Sequence, residues 1–207
     1  MTTCVVTFEN RELPYKDCFR DNHSAFCERH GYTYIPSDSF DAKIPPYWAK
    51  VFIVAKYLKD YKWVVWIDSD AVFEKLEQPF IFDSRSFFVI GGDKPQHRIP
   101  APINAGFFAV QNNDIGNLFM VQWCRLYKPH RWQLKHGKWV CKGTWSGSDY
   151  EQGACIELLA DSQFASHIIH PWHEFNNHPG SGFNGTVYHF CGTVGKSMLR
   201  KYLHSHS

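Results

Sequence analysis

Asp68 and Asp70 are two carboxylates one residue apart, at the end of the apolar run Trp63-Val64-Val65-Trp66-Ile67. An unbroken apolar run of this length predicts a strand buried on both faces, as in a parallel sheet. In an open α/β sheet, ligands bind outside the carboxyl ends of the strands. The acidic pair therefore falls where a site is expected. Two carboxylates about 5 Å apart repel by roughly 3 kcal/mol at an effective dielectric of about 20. A divalent cation that also holds a diphosphate would turn that repulsion into attraction. The plainer reading of Asp68-Ser69-Asp70 is a turn or a helix cap, for which Asp and Ser are both suited.

Periodicity predicts the elements that must carry this pair. Residues 4–8 read as a first strand with Glu9-Asn10 at its exit, and residues 17–30 as a helix with Phe19, Phe26 and Cys27 on one face and Gly31 as its stop. Residues 32–35 read as a second strand. Pro45-Pro46 then opens a helix whose Trp48, Val51, Phe52, Ala55 and Leu58 form one stripe. After the Trp63 strand come a strand at 87–90, a polar, proline-containing loop, and a strand at 103–110. Asp114 is expected to cap a helix with Ile115, Leu118, Phe119, Trp123 and Leu126 inside. Residues 128–148 show no periodicity; residues 150–159 read as a helix, and 168–169 and 187–190 as short strands. Alternating strands and helices without repeats or a low-complexity linker predict one α/β domain over residues 1–207 with a mostly parallel sheet. The chain is expected to be either the whole protein or the first domain of a longer one.

Composition narrows the classes. A 207-residue chain that is 44% hydrophobic has room for a sizeable core. Its net charge of +2 gives no sign of a nucleic-acid or membrane-surface partner. Seven cysteines, an odd number without a C-x-x-C pair, read as reduced structural thiols of a cytoplasmic protein rather than a zinc site. No signal peptide or membrane span is visible. Oligomeric state is not legible.

Several segments resemble one glycosyltransferase family, which includes fungal α-galactosyl- and α-mannosyltransferases and plant xyloglucan xylosyltransferases. They are Phe26-Cys27-Glu28-Arg29-His30-Gly31-Tyr32, Trp48-Ala49-Lys50, Asp68-Ser69-Asp70-Ala71, Asn104-Ala105-Gly106, Glu151-Gln152-Gly153-Ala154 and His189-Phe190-Cys191-Gly192. They occur in the family's order and span roughly residues 20 to 200. The compact size also resembles the chlorovirus-type glycosyltransferases of large algal viruses, which would place the chain in a host cytoplasm. The resemblance implies the GT-A fold, a Rossmann-like sheet flanked by helices. It further implies a nucleotide-sugar donor (UDP-sugar before GDP-sugar), a glycan acceptor, Mn2+ or Mg2+, and retention of anomeric configuration.

Carried over residue by residue, the resemblance makes Asp68, Asp70 and His189 the metal ligands, with Asp70 the more direct. Imidazole with carboxylates suits manganese better than calcium. Gly192 and Lys196 would meet the diphosphate, Gly by close backbone approach and Lys as a cation on the leaving group. In Cys191-Gly192-Thr193-Val194-Gly195-Lys196 the Lys stands further from the Gly than in the relatives. Asn104 would touch the transferred sugar, and an acid–Gln pair would lie beneath the anomeric carbon. Here the pair is Glu151-Gln152, with Asp149 two residues earlier, and the sequence leaves open which acid takes the role. Thr7, Phe8 and Asn10 would face the base at the end of the first strand. Ser69 accompanies the acidic pair, and Lys50, off the apolar stripe of its helix, would reach the carboxylates.

Each position has a plainer reading. His189 would be a hydrogen-bonded histidine at a strand end, Lys50 a solvated lysine, Asn104 a turn residue beside Gly106, and the acids at 149–151 a favourable charge at a helix start. The segment 128–148 holds Trp132, Trp139 and Trp145 among His and Lys residues and reads as an acceptor-binding loop or a satellite core. Two other functions compete. One is a haloacid-dehalogenase-type phosphatase, whose D-x-D normally ends the first strand. The other is a non-catalytic sugar-binding module, which leaves the acids and His189 unexplained.

Overall fold

The buried run Trp63–Ile67 is the β3 strand at the centre of a six-stranded sheet. We describe the protein from a computed structural model, which covers residues 2–95 and 101–205. The chain begins with β1 (Thr3–Phe8), α1 (Lys16–His30), β2 (Thr33–Ser37) and α2 (Pro46–Leu58), which lead into β3. A three-residue β4 (Ala71–Phe73) follows the acidic pair directly, then β5 (Phe88–Gly91), β6 (Asn104–Gln111) and α3 (Asp114–Arg125). The remainder is β7 (Trp132–Lys135), β8 (Lys138–Cys141), α4 (Glu151–Leu159), β9 (His167–His170), α5 (Trp172–Phe175), β10 (Val187–His189) and α6 (Gly192–Ser205). The expected polar loop before Ile103 lies partly outside the described residues.

The main sheet runs β2-β1-β3-β6-β5-β9. β1 pairs in parallel with β2 and β3, and β5 with β9, while β6 is antiparallel to both neighbours. The mixed α/β, mostly parallel architecture read from the sequence is thus observed. Side chains alternate across the sheet as the pleat requires. Cys4, Val6, Val64, Trp66, Phe108 and Val110 pack under α2, α3 and α4, while Val5, Val65, Ile67, Phe107 and Ala109 pack on the α1 and α5 side. Phe108 and Phe119 have no exposed surface; burying a side chain of this size contributes about 1.5–3 kcal/mol.

Local signals explain the boundaries. Gly31 ends α1 at φ 65°, a left-handed conformation that suits glycine. Its N–H and that of Tyr32 satisfy the Glu28 and Cys27 carbonyls. Pro46 stands in the first turn of α2, where no donor is needed. Three expectations are corrected. The cap of α3 is Asn113, whose side chain accepts from the Gly116 N–H at 2.7 Å, so Asp114 is already inside the helix. Ile115 and Leu118 lie on the outer side, 37% and 40% exposed. The helix instead buries Gly116, Phe119, Met120 and Trp123, because Gly116 presses on the chain: a Cβ there would stand 2.0 Å from the Gln111 carbonyl oxygen. Residues 128–148, read as aperiodic, contain the antiparallel β7–β8 hairpin.

All seven cysteines are free thiols. Among the described residues no helix is long and apolar enough to cross a membrane.

Candidate active site

The small antiparallel pair β4–β10 brings the site together. β4 starts one residue after Asp70, and His189, the last residue of β10, pairs with Ala71, its first. The Phe190 N–H donates to the Asp70 carbonyl at 2.7 Å. A histidine over a hundred residues away in sequence is thereby held beside the acidic pair. Its Nε2 lies 3.3 Å from Asp70 Oδ1 and 3.8 Å from Asp68 Oδ2. One ligand atom from each of Asp68, Asp70 and His189 can be chosen so that all lie within 4.8 Å of one another. Two carboxylate oxygens and an imidazole at this spacing fit a manganese- or magnesium-type cation. The three predicted ligands therefore converge, and His189 is buried at 5% exposure beside them.

Glycine makes room for that ring. A Cβ on Gly106 would stand 2.2 Å from His189 Cε1 and 2.6 Å from its Nδ1. The Gly106 carbonyl also accepts from the Asp68 N–H at 2.8 Å, which ties β6 to the acidic turn. Asn104 closes the same turn: its Oδ1 accepts from the Gly106 N–H at 2.8 Å, and its Nδ2 donates to Asp93 at 3.3 Å.

Lys50 is not solvated. Its ammonium is buried, 2.9 Å from Asp68 Oδ1, 3.4 Å from Glu151 Oε1 and 3.0 Å from the Ala105 carbonyl. Burial alone would lower its pKa; the charges of Asp68 and Glu151 outweigh that and raise it. Glu151 shows the opposite balance. Burial raises its carboxyl pKa, and Lys50 only partly offsets the rise. For Asp70, burial is outweighed by the hydrogen bond and charge of His189 and by Lys196 and Lys50, which hold its carboxyl well below the usual range. His189 moves the other way: burial lowers its pKa, and Asp70 and Asp68 more than restore it.

Three indole N–H groups fix the entry to α4. Trp48 and Trp132 donate to the Asp149 carbonyl at 3.0 and 3.1 Å, and Trp123 to that of Glu151 at 2.9 Å. The helix begins without a side-chain cap. Gln152 Oε1 accepts from the Ala105 N–H at 2.9 Å, while its Nε2 is buried with no hydrogen-bond partner among the described residues. Lys50 and Gln152 thus grip Ala105 from its two backbone sides and set the height of Asn104 and Gly106. Asp149 is placed elsewhere. Its carboxylate meets Arg131 at 2.7 Å and Lys128 at 3.6 Å, toward the base of the hairpin.

A cleft of about 920 Å³ opens over the acidic pair. Phe8 and Asn10 line it, whereas Thr7 does not; the Thr7 side chain is fully buried. Ser69 lines it and donates to Glu9 Oε2 at 2.7 Å. Lys196 enters from α6, with Nζ 3.6 Å from Asp70 Oδ2. Gly192, the first residue of α6, has φ 77°, so the longer spacing to Lys196 is one helical turn that keeps both at the same end of the helix. The segment read as an acceptor loop divides. Trp132 is core, packed on Tyr47 and Tyr150, while Leu134, Gly137, Lys138 and Trp139 line the same cleft as Phe8 and Asn10.

The sequence reading missed Glu9, Asp93 and Asn176. Glu9 is 2% exposed and accepts from Arg11 as well as Ser69; these bonds outweigh burial and lower its pKa. Its place at a strand exit was visible, its partners were not. Asp93 and Asn176 carried no local signal.

Comparison with known proteins agrees with this geometry. Residues 2–82, from β1 through β4, match the galactosyl transferase GMA12/MNN10 family. The match covers Lys50 and the acidic pair; Asn104, Glu151, Gln152 and His189 lie beyond it. A probable glycosyltransferase 6 of Oryza sativa subsp. indica is 27% identical over 158 residues, which cover 70% of this chain and 32% of the relative. The match thus spans about a third of that protein's length. A glycosyltransferase involved in glycosylation of the major capsid of PBCV-1 superposes with a TM-score of 0.76 at 16% identity, covering 99% of this chain and 100% of that one. Drosophila β1,4-galactosyltransferase 7, in complex with manganese, UDP-Gal and xylobiose, gives a TM-score of 0.51 at 12% identity over 97% and 80% of the two chains. The family resemblance and the GT-A fold read from the sequence are borne out.

Proposed function

We propose that this chain, a glycosyltransferase with the GT-A fold that resembles the galactosyl transferase GMA12/MNN10 family, moves a hexose-type sugar from a UDP-sugar to a glycan hydroxyl with retention of configuration. The observation that carries the reading is the convergence of Asp68, Asp70 and His189, with both acids lining a cleft large enough for a nucleotide sugar. These three residues would hold Mn2+ or Mg2+, which when bound would neutralise charge on the diphosphate.

The chain's own groups supply the rest. Lys196 would add a second positive charge to the leaving group, and Gly192 would let the diphosphate approach the backbone. Phe8 and Asn10 would face the base, and Trp139 lines the same cleft. Lys50 orients Asp68 by donating to its Oδ1 at 2.9 Å. Asn104 and Gln152 would border the sugar, and Glu151 would underlie it. The pairing of Asp149 with Arg131 supports Glu151, rather than Asp149, as the acid of that pair. Retention rests on the family resemblance and on Glu151-Gln152 at the start of α4. The free thiols suit a reducing compartment, and a cytoplasmic, viral setting belongs to the same proposal.

Calorimetry tests the donor and the metal. UDP is expected to bind in the presence of Mn2+, to lose affinity in chelator, and to bind more tightly than GDP. Affinity indifferent to chelator would overturn the metal, and tighter GDP binding the donor. Proton NMR of the first-formed product is expected to show the donor's anomeric configuration; an inverted product overturns retention.

The hairpin gives a separate prediction. Trp139→Ala is expected to weaken UDP binding several-fold, because one lost aromatic contact is worth about 1 kcal/mol. An unchanged nucleotide affinity with a raised acceptor KM would return the hairpin to the acceptor side.

A further inference from the structure

We propose that Asn176 is a positioning residue that fixes the orientation and tautomer of His189, so that His189 presents a bare Nε2 to the cation. This rests on the metal reading above and concerns a residue outside the ligand set. Asn176 follows α5 and is 1% exposed. Its Oδ1 lies 3.0 Å from His189 Nδ1. Its Nδ2 lies 3.1 Å from Asp93 Oδ1 and 3.4 Å from the Gly92 carbonyl.

The direction of each bond follows from the chemistry of the partners. A carboxylate and a carbonyl only accept. The end of the amide that faces Asp93 and Gly92 must therefore be the NH2, and the end that faces His189 must be the oxygen. An amide oxygen buried against Nδ1 is satisfied only if Nδ1 carries the proton. In the neutral ring Nε2 is then the lone-pair nitrogen, and Nε2 is the atom that lies beside Asp70 and Asp68. Histidine ligands are commonly oriented this way by a partner on the other ring nitrogen. Here the partner is an amide whose own orientation is set by a carboxylate.

The relay reaches the other wall of the site. Asp93 Oδ1 also accepts from Asn104 Nδ2, and Asn104 Oδ1 accepts from the Gly106 N–H, against whose missing side chain the His189 ring is seated. One chain of directional bonds thus fixes the imidazole both at its nitrogen and at its face.

The test uses the full chain and two readouts besides turnover. With Mg2+ and UDP bound, 15N NMR is expected to show a protonated Nδ1 on His189 with slow proton exchange. Titration with Mn2+ is expected to show a loss of about 10–100-fold in affinity for Asn176→Ala. The 15N measurement is made on the wild-type chain, so it decides the matter if Asn176→Ala does not fold. Wild-type Mn2+ affinity in Asn176→Ala, or an unprotonated Nδ1, overturns the positioning role while leaving the metal site standing. No Mn2+ binding by the wild-type chain overturns the metal reading itself, and this inference with it.

Discussion

Lys50→Met is expected to destabilise the metal-free protein by about 3–5 kcal/mol, the usual result of removing one partner from a buried ion pair. The Lys50 and Glu151 side chains are 8% and 7% exposed, and Asp68, at 25%, depends on the same ammonium. Methionine fills the space of the lysine stem but leaves Glu151 without a counter-charge. It also removes the donor to the Ala105 carbonyl. The loss should depend on pH, and the sign can be worked out. Burial already raises the Glu151 pKa with Lys50 present. Without Lys50 the folded protein holds that proton to still higher pH, so above the ordinary carboxylate range it binds more protons than the unfolded chain. Stability then falls as pH rises through that window. Urea unfolding should therefore show a larger deficit near pH 8 than near pH 5. Adding Glu151→Gln should recover about 1–3 kcal/mol as a coupling energy. A deficit under about 1 kcal/mol that does not vary with pH would mean that the lysine is solvated after all.

What the sequence made legible follows from how local each signal is. β3 and β6 are runs of apolar residues whose burial needs no knowledge of their neighbours, and Gly31 and Pro46 mark their helix ends by chemistry alone. The acidic pair was legible because it follows such a run directly. β4 escaped because three residues after a turn carry no period. α6 escaped because Gly192 and Gly195 weaken its start; Leu199 and Leu203, both buried, were the available sign. The hairpin was hidden by its turn. His136 and Gly137 have φ of 48° and 72°, the pattern that Asn-Gly usually announces, but histidine stands where asparagine is expected. Asp93 and Asn176 lie 83 residues apart, and nothing near either one in sequence announces a partner at that distance. The residues nearest the proposed chemistry were thus readable in part, while those that orient them were not. Orientation is a property of the fold.

Asp70→Asn is expected to reduce Mn2+-dependent UDP affinity by at least about 100-fold, because groups that merely orient metal ligands already cost 10–100-fold when removed. The substitution keeps the shape of the side chain and deletes its charge. The backbone contact that joins the two halves of the site, from the Phe190 N–H to the residue 70 carbonyl, is unaffected. Lys196 loses its ion-pair partner but is 35% exposed and can turn to solvent, so the fold should hold and the thermal midpoint should move little. That combination, intact fold with lost binding, separates a ligand from a structural carboxylate. Asp149→Asn is the control: its carboxylate is paired with Arg131 rather than with His189, and the variant should bind UDP and Mn2+ nearly as the wild type does. Calorimetry of the three proteins with and without chelator decides the point. If Asp70→Asn binds within a few-fold of wild type, any cation is held elsewhere. If Asp149→Asn is the variant that loses binding, the acid beneath the donor is Asp149, and the roles of Asp149 and Glu151 at the entry to α4 must be exchanged.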